Sequence, residues 1–133
     1  MVARTSAVAS RPGLQAYEDA MRASPAEVVS RLRDIVGLRV VAFIGNVKST
    51  RPVAEWATGH RSPGELDLDR LRLAFHLAGL LREQFSPDTV QAWFKGMNPA
   101  LGDVSPARVL RDADPAEVGP ELLAAAKSFA YIG

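Results

Sequence analysis

The sequence predicts an all-α fold, a compact helical domain, on three observations. Helix-start signals recur. Ser24-Pro25-Ala26-Glu27, Ser86-Pro87, Ser105-Pro106 and Asp114-Pro115-Ala116-Glu117 each set a side-chain acceptor ahead of a proline at the first helical position. Apolar residues return at helical spacing through Leu71, Ala74, Phe75, Ala78, Leu81 and Phe85. No segment reads securely as part of a sheet.

The elements follow in order. Met1 to Arg11 is small and polar with two arginines, and residues 1–22 together are expected to form a disordered or loosely attached arm. Ser24-Pro25-Ala26-Glu27 is a capping box, opening a helix whose apolar face is Val28, Val29, Leu32 and Ile35–Val36 and which stops at Gly37. Leu38 to Ile44 is rich in β-favouring residues, but its place between two helices argues for a short buried helix. Gly45-Asn46 is a turn in which both residues tolerate positive φ. Ser49 is the expected cap of a helix over Thr50 to Thr58, closed by Gly59.

A long helix is expected from Asp67 to about Phe85. Leu73, Leu77 and Leu80 widen its apolar stripe so far that burial on more than one side is required, within the domain or in a homodimer. Shorter helices follow Ser86 (to Gly96) and Ser105 (to about Arg111), and a last one runs from Pro120 to about Phe129 behind a second capping box.

Composition bounds the function. A chain of 133 residues with 47% hydrophobic and 23% charged residues fits one soluble globular domain. No apolar run approaches the roughly 20 residues that span a bilayer, and the N-terminus lacks a secretory apolar core, so no membrane association is expected. The absence of cysteine removes disulfides, thiolate metal sites and cysteine nucleophiles, in keeping with a cytoplasmic location. Net charge is only +1, yet unevenly spread. Arg31, Arg33, Arg39, Lys48, Arg51 and Arg61 face only Asp34 and Glu55 across residues 31–61, while Asp103 to Glu121 is acidic. That division suits a polyanion-binding face and a separate protein-binding face, or two ordinary solvated surfaces.

Val40 to Pro63 carries a helix-turn-helix pattern in its apolar positions. Val41 and Ala42 lie in the first helix, Val47 plugs the turn, and Val53 and Trp56 anchor the second. The turn is one residue longer than usual. In a DNA-binding role, Lys48, Ser49, Thr50 and Arg51 would meet base edges with Glu55 behind them, and His60 and Arg61 would face phosphates. The alternative is a helical scaffold with the same core and no DNA.

The most specific stretch is Trp93-Phe94-Lys95-Gly96-Met97-Asn98-Pro99-Ala100-Leu101-Gly102-Asp103-Val104-Ser105-Pro106. Its aromatic pair, Asn-Pro turn, Leu-Gly step and Ser-Pro helix start resemble the toxin-binding domain of the Xre/MbcA/ParS antitoxins. Trp56 to Pro63 likewise looks like the W-x-x-G-x-R-x-P ending of Xre-type regulators, and the resemblance covers residues from about 28 to 112. Asp103 departs from the family, which usually shows a second glycine there. The bland reading makes Trp93 and Leu101 core residues of a helix-loop-helix. The resemblance implies that this loop, with Trp93, Asn98 and Pro99, helps form a toxin-facing surface. It also implies that the tail residues Phe129, Tyr131 and Ile132 reach the toxin's active-site cleft; the alternative is that they fold back on the domain.

His60 and His76 form no metal pair, and no phosphate loop or nucleophile elbow is present, so neither catalysis nor a cofactor is expected. The expected role is that of an antitoxin which silences a cognate toxin, most often in this family a RES-domain protein that consumes NAD, and represses its own operator DNA as a homodimer. The competing reading is a stand-alone DNA-binding regulator, and a third is an interaction scaffold.

Overall fold

The computed structural model describes residues 13–131. Within them the chain forms α1 (Leu14–Arg22), α2 (Pro25–Val36), α3 (Leu38–Ile44), α4 (Arg51–Ala57), α5 (Glu65–Arg82), α6 (Pro87–Lys95), a 3-10 turn (Pro99–Leu101), α7 (Pro106–Asp112) and α8 (Pro115–Tyr131). Among the described residues the only β pairing is an isolated bridge between Asn98 and Val104, so the fold is all-α.

Helix α5 is the hub, with α1, α2 and α8 packed around it. Leu71, Ala74, Phe75, Leu77, Ala78, Leu80 and Leu81 are all buried in the single chain. Much of the broad apolar surface that suggested a dimer is therefore packed inside the domain, while Leu66 near the start of α5 stays exposed. It starts at Glu65 rather than Asp67. Gly64 holds the extended cap position without a side-chain bond, and Glu65 and Asp67 complement the dipole of the first turn. Phe85 lies beyond the helix end, half-buried, with its ring 4.9 Å from that of Phe129 on α8.

The expectation of a loose arm over residues 1–22 is corrected for its last part; residues 1–12 lie outside the described residues. Leu14–Arg22 is a helix with Ala16 and Ala20 buried against α5. The two helices approach closely because both contact faces are small: a Cβ added at Gly79 would stand 2.9 Å from the Cβ of Ala16. The C-terminal end of α1 is then tied down by Arg72, whose Nη1 donates to the carbonyls of Ala20 and Ala23, each at 2.7 Å. Alanines carry a weak periodic signal, and Gly13 at φ 79 supplies no side-chain cap, so the helix was invisible locally. Arg72→Met is expected to lower stability by about 1.5–3 kcal/mol, the range for hydrogen bonds to a charged group, and to speed amide exchange across residues 14–22. An unchanged melting temperature with slow exchange there would show that α1 is held by packing alone.

The capping box forms as expected. Ser24 Oγ accepts from the Glu27 N–H at 3.2 Å and Glu27 Oε1 from the Ser24 N–H at 2.8 Å, bonds that lower the pKa of Glu27. Gly37, at φ 91, turns α2 into α3, and Gln91 Nε2 of α6 donates to the Val36 carbonyl at 2.6 Å. The ambiguous run Leu38–Ile44 is a helix with Val40, Val41, Ala42 and Ile44 buried.

Two expectations about the next turn are corrected. Asn46 adopts φ 61, but Gly45 does not need positive φ; it needs space, since a Cβ there would meet Trp56 Cζ3 at 2.9 Å. Ser49 caps nothing. Helix α4 begins at Arg51 behind Thr50, which is already in the right-handed helical region and makes no side-chain cap bond.

Helix α8 also starts earlier than expected. It runs from Pro115 through Pro120, and Asp114 Oδ1 accepts from the Ala116 N–H at 3.0 Å in an Asx turn rather than a reciprocal box. Pro120 removes one helical donor, that to the Ala116 carbonyl, and the helix continues because its buried face of Gly119, Leu122, Ala125 and Ala126 is held by the core.

Candidate functional site: an apolar groove and a basic face

The groove is built from the motif loop. Helix α6 begins behind Ser86, whose Oγ accepts from the Thr89 N–H, and stops at Gly96. Asn98, held extended ahead of Pro99, then organises the turn. Its side-chain oxygen accepts from the Ala100 N–H at 2.9 Å, and its carbonyl accepts from the N–H groups of Leu101 and Asp103, both at 2.9 Å. The Asn98 N–H donates to the Val104 carbonyl at 3.3 Å and closes the loop. Leu101 is buried and pins the loop to the core. Gly102 and Asp103 are consecutive left-handed residues at φ 67 and φ 65. Position 103 thus uses the conformation a glycine would supply, and aspartate is among the side chains that tolerate it.

Between this loop, the end of α6 and the last turns of α8 lies an apolar groove of about 540 Å³. Trp93 forms its floor, 6% exposed, with its ring edge-on to Phe94 at 5.1 Å. The Trp93 indole N–H is buried without a hydrogen-bond partner among the described residues. Met97 stands on the rim, 81% exposed. Four of the expected protein-facing residues meet here: Trp93, Asn98, Pro99 and Phe129. Tyr131 does not line the groove. Its hydroxyl donates to Glu83 Oε1 at 3.2 Å on the far end of α5, and burial, then the Glu83 charge and hydrogen bond, push its pKa up. Ile132 lies outside the described residues. Reading the sequence missed Met97 and the α8 residues Ala125 and Ser128, because only the fold lays α8 along the loop.

The basic face is less uniform than the sequence suggested. Val53 and Trp56 are buried and Val47 is half-buried, so the apolar plan of α3 and α4 holds. Lys48, Ser49, Arg51, His60 and Arg61 are exposed, and Thr50 is half-buried. Glu55, however, binds both arginines of the expected recognition surface. Its carboxylate lies 3.3 Å from Arg61 Nη1 and 3.9 Å from Arg51 Nε, and the Arg61 N–H donates to the Glu55 carbonyl at 3.2 Å.

Among the described residues no cluster of three or more potential metal ligands exists, and no helix is long and apolar enough to cross a membrane. His76 is half-buried, its ring centroid 5.4 Å from that of Tyr17; burial first, and the charge of Lys127 second, lower its pKa.

No protein-family model matches the sequence, and no curated protein matches it. A solved structure does: the crystal structure of the M. tuberculosis MbcT–MbcA toxin–antitoxin complex is similar at 30% sequence identity with a TM-score of 0.60, covering 77% of this chain and 93% of that one.

Proposed function

Because this chain belongs to the MbcA-type antitoxin family, we propose that it is the antitoxin of a toxin–antitoxin pair. In this reading it seats a RES-type, NAD-consuming toxin on the groove floored by Trp93, and it represses its own operator through the α3–α4 region. The observation that carries the reading is the conjunction of the motif with the groove. Trp93, Asn98 and Pro99 come from the one stretch of sequence that resembled a toxin-binding domain, and they line the same apolar surface as Phe129. Large, fixed aromatic groups beside an exposed methionine are suitable anchors for a protein partner. A homodimer would have little apolar surface to use on α5 beyond Leu66, since Leu71 to Leu81 are largely buried in the single chain.

The tail is part of the proposal in a modified form. Phe129 is 38% exposed and packs on Phe85, so it is a wall of the groove rather than a free end. Deleting Phe129 to Gly133 is expected to leave a folded protein, with melting lowered by only a few degrees, that no longer protects cells co-expressing the toxin encoded beside it. Continued protection would refute the role of the tail. A collapse of the melting temperature would show that Phe129 belongs to the core.

A further inference from the structure

The cations around α3 and α4 fall into two groups. Arg51 and Arg61 share Glu55, which neutralises part of their field. Arg39, Lys48 and Arg111 take part in no ion pair among the described residues. These three line one open concavity of about 640 Å³, together with the hydroxyl residues Ser49 and Thr50. Its floor is Ala42, Phe43 and Val47. A second open concavity, of about 500 Å³, shares Arg39 and Phe43 and adds Lys95 and Ser105. Lys95 too is unpaired among the described residues. Neither concavity is lined by a carboxylate.

Arg39 therefore joins two grooves into one cationic strip contributed by α3, the α3–α4 turn, α6 and α7. Its far end is held rigidly. The Arg111 guanidinium stacks 4.6 Å from the Phe43 ring centre and donates to the Phe43 carbonyl at 3.3 Å. That fixes one face of the cation and leaves its remaining donors on the concavity. The nearby Asp112 does not cancel it, being 3.1 Å from Arg108 Nε.

We propose that this strip is a track for the phosphodiester backbone of duplex DNA, with Arg39, Lys95 and Arg111 as phosphate contacts beside Lys48. The proposal rests on the reading that the protein binds DNA, and it moves the electrostatic contact from α4 to the grooves flanking α3. The chemistry favours phosphate. Cations and hydroxyls supply donors, no carboxylate competes for them, and phosphate oxygens only accept. Open grooves in series fit a polymer of regularly spaced charge better than a small anion. The strip also leads into Lys48, Ser49 and Thr50, the segment best placed to meet base edges.

The test uses the full-length protein and a mixed-sequence duplex of about 24 base pairs, with binding followed by fluorescence anisotropy across a salt series. Arg39→Gln, Lys48→Gln and Lys95→Gln combined change only exposed side chains, so circular dichroism and melting serve as fold controls. The triple variant should bind on the order of a hundredfold more weakly at 0.1 M salt, with a log–log salt slope reduced by about three, roughly one per lost phosphate contact. Arg39→Gln alone should reduce the slope by about one, and Arg51→Gln by clearly less, because Glu55 already compensates that charge. A parent protein that binds no duplex at low salt overturns the proposal and the DNA reading together. A parent that binds, with a triple variant keeping its slope, overturns the proposal and leaves the DNA reading standing. Variants that retain DNA affinity but lose capture of the toxin overturn it in favour of an acidic protein surface.

Discussion

Trp56→Ala is expected to lower stability by about 3–5 kcal/mol, the range for removing a buried large aromatic. Trp56 is 6% exposed and lies one helical turn from the fully buried Val53. Its ring fills the space left by Gly45, so the tight turn after α3 and the seating of α4 share one contact. Helix α4 has seven residues and no side-chain cap, too short to persist without packing. Alanine would leave a cavity between α2, α3 and α4 that rigid neighbours cannot close. Urea denaturation reads the change directly. A loss below about 1 kcal/mol would mean that Val53 alone seats α4, and the account of Gly45 as a space-maker would fall with it.

Met97→Asp is expected to weaken toxin binding by on the order of a hundredfold while leaving the melting temperature within about a degree. Met97 is 81% exposed and sits on the rim of the groove, so nothing in the folded monomer depends on it. In a complex seated on the groove its thioether would be buried. An apolar anchor at an interface contributes about 2 kcal/mol or more, and a carboxylate in its place adds a desolvation penalty. Titration calorimetry with the toxin encoded by the neighbouring gene tests this, with Met97→Leu as the control that should retain most of the affinity. Equal affinity for the aspartate variant would remove the loop from the interface. Loss in both variants would point to a shape requirement rather than an apolar contact.

These two residues differ in how far the sequence exposed their roles. Trp56 was legible as a core anchor, because its spacing from Val53 marks a helix face. Met97 was not. It lies inside the recognised motif, but nothing in its local sequence says whether a methionine beside a turn is buried, and only the packed fold leaves its side chain free. Asp103 is a third kind of case. It departs from the glycine usual in the family, and its φ of 65 is a left-handed conformation that a glycine adopts without strain.

What the sequence determined by itself is the set of short-range structures. Ser24, Ser86 and Ser105 each accept from an N–H three residues on, in front of Pro25, Pro87 and Pro106, so those helix starts depend on little beyond four neighbouring residues. Gly37, Gly59 and Gly102 adopt positive φ for equally local reasons. The tertiary structure decided everything that depends on which surfaces meet. It made Leu14–Arg22 a helix by lending it Gly79 and the Arg72 side chain. It buried most of the broad apolar face of α5 under α1, α2 and α8. It brought Arg39 and Arg111, far apart in sequence, to one concavity. Capping and turn preferences act over a few residues and are written in order along the chain. Burial and charge pairing act through space, and their partners are known only once the helices have packed.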